Sequence, residues 1–196
     1  MSVKVLGIYG SPRKGGNTDR LLDRALEGAK AAGAEVKSVY ARNLTISGCL
    51  ECGGCDETGE CIIQDDMQSV YPLLREADII ILASPNFFYN VTAQVKLLID
   101  RSQAIWSKRV LEKTAEQRRT YDSGKGYLIC VGATKGKNLF LGVELTAKYF
   151  FDALDMSYKG GLLVDRIEAK GEIDKHPHKL EEAYSLGKSA VESMEV

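Results

Sequence analysis
No apolar run in this chain of 196 residues approaches the roughly 20 residues that a membrane-spanning helix needs. Net charge is nearly absent, −1 at pH 7, which argues against a protein built to bind nucleic acid. Histidine is scarce. His176 and His178 flank Pro177 with no carboxylate–histidine pattern beside them, so they read as a surface turn rather than a metal site. No Ser–His–Asp or paired-carboxylate arrangement emerges, so any catalysis falls to a cofactor. There is no internal repeat and no linker composition. Residues 1–196 therefore read as one domain, long enough to bury a sizeable core. A strand pattern begins at residue 3 with no leader ahead of it, so the expected location is the cytoplasm. There the five cysteines are expected as thiols or metal ligands, not disulfides.

What is present is an alternation. With 44% hydrophobic and 27% charged residues the chain reads as globular, and its apolar residues fall into five short runs separated by helical periods. The runs are residues 3–9 (VKVLGIY), 35–40, 78–83 (DIIILA), 127–132 (YLICVG) and 158–164. Those at 78–83 and 127–132 do not alternate, the mark of strands buried on both faces. Helical patterns span 18–32, 66–76, 93–102, 141–154 and 179–194. Strand and helix in turn predict an α/β fold, a doubly wound five-stranded parallel sheet with helices on both faces. Asp100 and Arg101 close one helix, where a structural salt bridge is the default, and Cys130 reads as a core thiol.

Two stretches depart from this rhythm. Residues 103–125 form a long, charge-rich connection, and connections that long are usually lids, partner contacts or loops. Trp106, Val110 and Leu111 among its cations suggest a contact between subunits of a homo-oligomer, a dimer or tetramer; otherwise Trp106 is a core aromatic. The second is the cysteine segment, 47–65, discussed below.

The first run breaks into GSPRKGGNT and turns straight into a helix. A helix N-terminus presents free N–H groups and a partial positive charge, so anions settle there. Ser11, Asn17 and Thr18 add donors, Arg13 a planar cation, and Gly15 and Gly16 a backbone that curls close. The stretch is not a Walker A loop, since Gly16 and Asn17 stand where Lys and Ser/Thr are needed. Nor do three glycines fit GxGxxG. A single terminal phosphate fits better. A second strand-end loop, ASPNFFYN at 83–90, offers Pro85, Asn86, Phe87, Phe88, Tyr89 and Asn90, aromatics able to flank a flat ring. A third, GATKGKN at 132–138, contains Thr134, Lys135 and Gly136. Together they describe a phosphate site and an aromatic-walled slot, which is the shape of FMN.

Cys49, Cys52, Cys55 and Cys61 follow the second strand with the spacing C-x2-C-x2-C-x5-C among four glycines. Ferredoxins begin comparably but have a different fourth spacing and a following proline; here Ile62 follows. A structural zinc usually takes two separated C-x2-C units. Cluster, zinc and free thiols all stay open on spacing alone.

GSPRKGGNT, SPNFFYNVTAQVKLLIDR and the cysteine run followed by DDM resemble the NADPH-dependent FMN reductase superfamily, over about residues 3–165. Within it they resemble the iron–sulfur flavoproteins. The resemblance implies a flavodoxin-like fold with FMN phosphate at Ser11, Arg13, Asn17 and Thr18. It places the isoalloxazine at the loop of Pro85 to Asn90. It also implies a 4Fe–4S cluster on the four cysteines, electron transfer as the activity, and oligomers. A ferredoxin-like protein or NAD(P)H is the expected electron donor. Asn86 and Phe87 stand where the family often has a β-branched residue and tyrosine. The alternatives are an NAD(P)H-dependent FMN or quinone reductase without a cluster, and a non-enzymatic FMN electron carrier.

Overall fold
The computed structural model describes residues 2–194. Five strands, β1 (Lys4–Tyr9), β2 (Glu35–Tyr40), β3 (Ile79–Pro85), β4 (Gly124–Val131) and β5 (Met156–Val164), form one all-parallel sheet in the order β2-β1-β3-β4-β5. Among the described residues five α-helices lie in the connections, α1 (Asn17–Ala31), α2 (Met67–Glu76), α3 (Ala93–Arg101), α4 (Gln103–Glu112) and α5 (Leu141–Ala153), and a sixth, α6 (Pro177–Glu192), follows β5. The expected doubly wound sheet is the one observed.

Pleating sends alternate residues of a strand to opposite faces. Ile79, Ile81 and Ala83 therefore join Leu21, Leu22 and Ala25 of α1 and Ala183, Ala190 and Val191 of α6 in one core. Ile80 and Leu82 join Val70 and Leu74 of α2, Val95 and Leu98 of α3, and Phe150 and Phe151 of α5 in the other. The runs that looked unalternated are strands covered on both sides. Among the described residues no helix is long and apolar enough to cross a membrane.

Residues 103–125 are not a connection throughout. Their first ten residues are α4, entered from α3 through the single residue Ser102. The charge density that suggested a solvated loop hides a buried cation. Arg109 donates to the carbonyls of Asp152 (2.7 Å), Arg118 (2.8 Å) and Thr120 (3.1 Å) and pairs with Asp155 at 2.8 Å. Its guanidinium lies 5.7 Å from the centre of the Trp106 ring. That network folds residues 113–122 back onto the start of β5. Ala104, Ser107 and Arg109 are buried within the chain itself, while Val110 and Leu111 face outward.

Candidate functional site
β1 and β3 are neighbours, and the helices that follow them lie on opposite faces of the sheet. At such a switch point the strand ends diverge and leave a crevice. A cavity of about 220 Å³ occupies it, lined by Ser11, Pro12, Arg13, Gly16, Asn17 and Thr18 of the first loop and by Pro85, Asn86 and Phe87 of the second. Val131, Ala133, Ile167, Glu168 and Lys170 complete its wall.

The first loop leaves backbone donors and a cation unused. Gly16 is the N-cap of α1, and no side chain caps the helix. The first-turn N–H groups of Asn17, Thr18 and Asp19 therefore have no intrahelical acceptor. Asp19 is an acid in this turn, and it is turned away. Its carboxylate accepts from Gly15 N (2.9 Å) and pairs with Arg42 at 3.0 Å. Burial raises the Asp19 carboxyl above its ordinary range, against the opposing pull of Gly15 N–H and Arg42. Arg42 also donates to Ser11 O at 3.1 Å, so one cation from the turn after β2 braces both ends of the loop. Ser11 Oγ accepts from Arg13 N at 3.1 Å. The Arg13 side chain is exposed at the cavity, with no ion pair among the described residues.

Several expected residues behave differently. Asn17 lines the cavity, but its side-chain amide ties down the chain after β5: Nδ2 donates to Ala169 O (2.9 Å) and Oδ1 accepts from Ile173 N (3.2 Å). Asn86 Nδ2 donates to Leu139 O at 2.7 Å, while its buried Oδ1 has no protein partner. Phe88, Tyr89 and Asn90 do not line the cavity. Phe87 and Asn90 pair their backbones, and the intervening Phe88 and Tyr89 take positive φ (50° and 61°), which turns both rings to solvent. Thr134, Lys135 and Gly136 are exposed and also outside it; the third loop contributes Ala133 instead, beside Val131 at the end of β4. The segment holding Ile167, Glu168 and Lys170 was not anticipated, and neither were Arg42 and Asp19.

The cysteine segment leaves the sheet after β2 and loops back on itself. Thr45 N donates to Asp66 Oδ2 (2.7 Å) and Ser47 N to Asp65 Oδ2 (2.9 Å), closing a neck below residues 48–62. Its far part rests on α4. Cys55 Sγ lies 3.5 Å from Ser107 Oγ, and Gly59, at φ 69°, lies so flat that a Cβ would come within 2.6 Å of Lys108 Cβ. Cys49 and Cys52 are exposed, and Cys55 and Cys61 are half-buried. Among the described residues no three His, Cys, Asp or Glu side chains surround a common centre, so the four thiols are not assembled here. Their donor chemistry still fits iron or zinc, because soft thiolates select those metals. Cys130 is buried apart from them in the core, where desolvation pushes its thiol pKa up.

Asp65 is the junction of the neck, accepting from Ser47 N, Met67 N (3.0 Å) and Arg101 Nη1 (2.6 Å). Burial raises its carboxyl, but these hydrogen bonds and the guanidinium charge outweigh burial and hold it below the ordinary value of 3.8. A carboxyl lowered in the folded state stabilises fully above its unfolded pKa and loses that contribution as pH falls through the folded one. Asp65→Asn should therefore be less stable than wild type at pH 6, with the gap closing as pH falls below about 4. Thermal melts from pH 6 to pH 2 check this; a gap independent of pH would refute it.

A parallel sheet in this strand order, with an anion cradle at the β1/β3 switch point, defines the flavodoxin-like class of fold. The chain belongs to the NADPH-dependent FMN reductase family, which matches residues 3–158. It is similar to an iron–sulfur flavoprotein of Archaeoglobus fulgidus, 46% identical over 99 residues covering 50% of this chain and 45% of that one. An iron–sulfur flavoprotein of Methanosarcina thermophila is 44% identical over 100 residues, 51% of this chain and 52% of that one. The chain thus spans about half the length of these relatives. Its fold is shared with a flavodoxin from the domain Archaea: TM-score 0.54, 14% identity, 99% of this chain and 100% of that one.

Proposed function
We propose that this chain is an FMN-dependent oxidoreductase that passes electrons between the flavin and a 4Fe–4S cluster held by Cys49, Cys52, Cys55 and Cys61. The carrying observation is the uncapped N-terminus of α1 at the switch point, with its own acid turned away and Arg13 free at the rim. Bound there, FMN supplies electron transfer singly or in pairs, and a cluster supplies it singly. The chain's own part is to hold the phosphate by backbone N–H groups, Ser11 and Arg13, and to bound the ring with Pro85, Asn86 and Phe87. A ferredoxin-like protein or NAD(P)H as electron donor, and a homo-oligomeric assembly, belong to the same proposal.

A second reading, an NAD(P)H-dependent FMN or quinone reductase without a cluster, is favoured by the dispersal of the four thiols. Metal and flavin analysis decides between the two. Protein made and purified without oxygen should contain about one FMN and about four irons per chain. FMN with zinc or no metal overturns the first reading in favour of the second.

A further inference from the structure
We propose that Arg101 is the positioning residue of the cysteine loop: its buried guanidinium clamps both sides of the neck and places a cation at Ile63, two residues past the last of the four cysteines. This rests on the reading of those cysteines as metal ligands. Arg101 ends α3, and its side chain is 0% exposed. It reaches across the neck, from Nη1 to Ser47 O (2.9 Å) on the entering side and from Nη2 to Ile63 O (3.2 Å) on the leaving side. Asp65 balances the charge at 2.6 Å. Neutralising a buried arginine would need the carboxylate alone. The two carbonyls are a different matter, because they flank residues 48–62, and holding both fixes the separation of the loop's ends.

Two further observations point from the clamp to the metal ligands. Arg101 Nε is buried and has no protein partner, a donor left over inside the neck. Buried donors are nearly always satisfied, so an orphan asks for an acceptor. Cys61 lies on that same leaving side: its carbonyl and that of Ile63 both accept from Gln68 Nε2 (3.1 and 2.7 Å), and the Tyr71 hydroxyl of the same helix donates to Arg101 O at 2.8 Å. N–H groups and cations beside cysteine sulfurs steady a metal site and tune its potential. The clamp is also firmly mounted. α3 is a nine-residue rod about 14 Å long. Its other end is fixed by Thr92, which caps the helix and donates to Gly10 O (2.7 Å) at the phosphate loop.

The test compares wild type, Arg101→Lys, Arg101→Met and Asp65→Asn, all made without oxygen. Iron and FMN per chain are measured on each. In metal-free protein, the rate of cleavage by a glutamate-specific protease at Glu51, Glu57 and Glu60 reports loop closure. Arg101→Met should keep FMN, lose at least half of its iron and be cleaved at least tenfold faster. Arg101→Lys, which keeps the charge but not the two-carbonyl grip, should retain more iron than Arg101→Met and show a shifted cluster potential. Wild-type iron and a wild-type cleavage rate in Arg101→Met overturn the proposal. Should Arg101→Met fail to retain FMN, Arg101→Lys and Asp65→Asn decide: both must show faster cleavage and less iron, and unchanged values overturn it. Wild type without iron overturns the ligand reading, and the cleavage rates then judge the clamp by themselves.

Discussion

Cys55→Ser is expected to bind FMN normally and to lose nearly all of its iron, falling from about four atoms per chain to below one. The argument is one of ligand type and position. A serine hydroxyl is a harder donor than a thiolate and does not replace it on iron. Cys55 is half-buried, with Sγ at Ser107 Oγ, and Ser107 in turn donates to Asp56 Oδ1 at 3.2 Å. This thiol is therefore held by α4, whereas Cys49 and Cys52 are exposed. The cavity proposed for the flavin shares no residue with this contact, so FMN occupancy is the internal control. Cys130→Ala is the second control: its thiol lies in the core, apart from the other four, and its loss should leave iron unchanged. Full iron in Cys55→Ser would remove Cys55 from the ligand set. Iron lost together with FMN would show that the substitution unfolds the chain.

What could be read from the sequence was whatever is local. The strands were legible because Ile79 to Leu82 are all apolar, and a strand covered on both faces tolerates nothing else. The first loop was legible as a candidate anion site because its donors, its cation and its glycines are consecutive, and the structure places it on the cavity. Contacts between distant residues were not. Asn17 looked like a phosphate donor by composition, yet its amide holds Ala169 and Ile173, more than 150 positions away. The wall formed by Ile167, Glu168 and Lys170 has no signature of its own and is placed by that tie. Phe88 and Tyr89 looked like ring walls, but the backbone turn with positive φ at both faces them outward, and no periodicity encodes φ. The charges of α4 hid a helix because Arg109 is buried, which a count of charges does not reveal. Arg101 was recognisable as a salt-bridge former, while its partner Asp65 and its grip on Ser47 and Ile63 depend on how α3 meets the neck.

Arg13→Ala is expected to weaken FMN binding about 10–100-fold while leaving riboflavin binding and the melting temperature of the apoprotein nearly unchanged. Arg13 lines the cavity and its exposed side chain forms no ion pair among the described residues, so its removal costs the fold little. Against a phosphate it would form charge-assisted hydrogen bonds, worth about 1.5–3 kcal/mol each. Riboflavin has the ring without the phosphate, so it separates a phosphate contact from a general loosening of the site. Arg42→Ala should behave differently. Arg42 lies behind the loop, pairing with Asp19 and holding Ser11 O, and its loss leaves a buried carboxylate without its cation. That variant should lower both the melting temperature and the affinity for FMN, because Gly15 and the first turn of α1 depend on the placement of Asp19. Titration of the three proteins with FMN and with riboflavin, followed by flavin fluorescence, distinguishes the two roles. Equal losses of FMN and riboflavin affinity in Arg13→Ala would show that this arginine shapes the cavity as a whole and does not hold the phosphate.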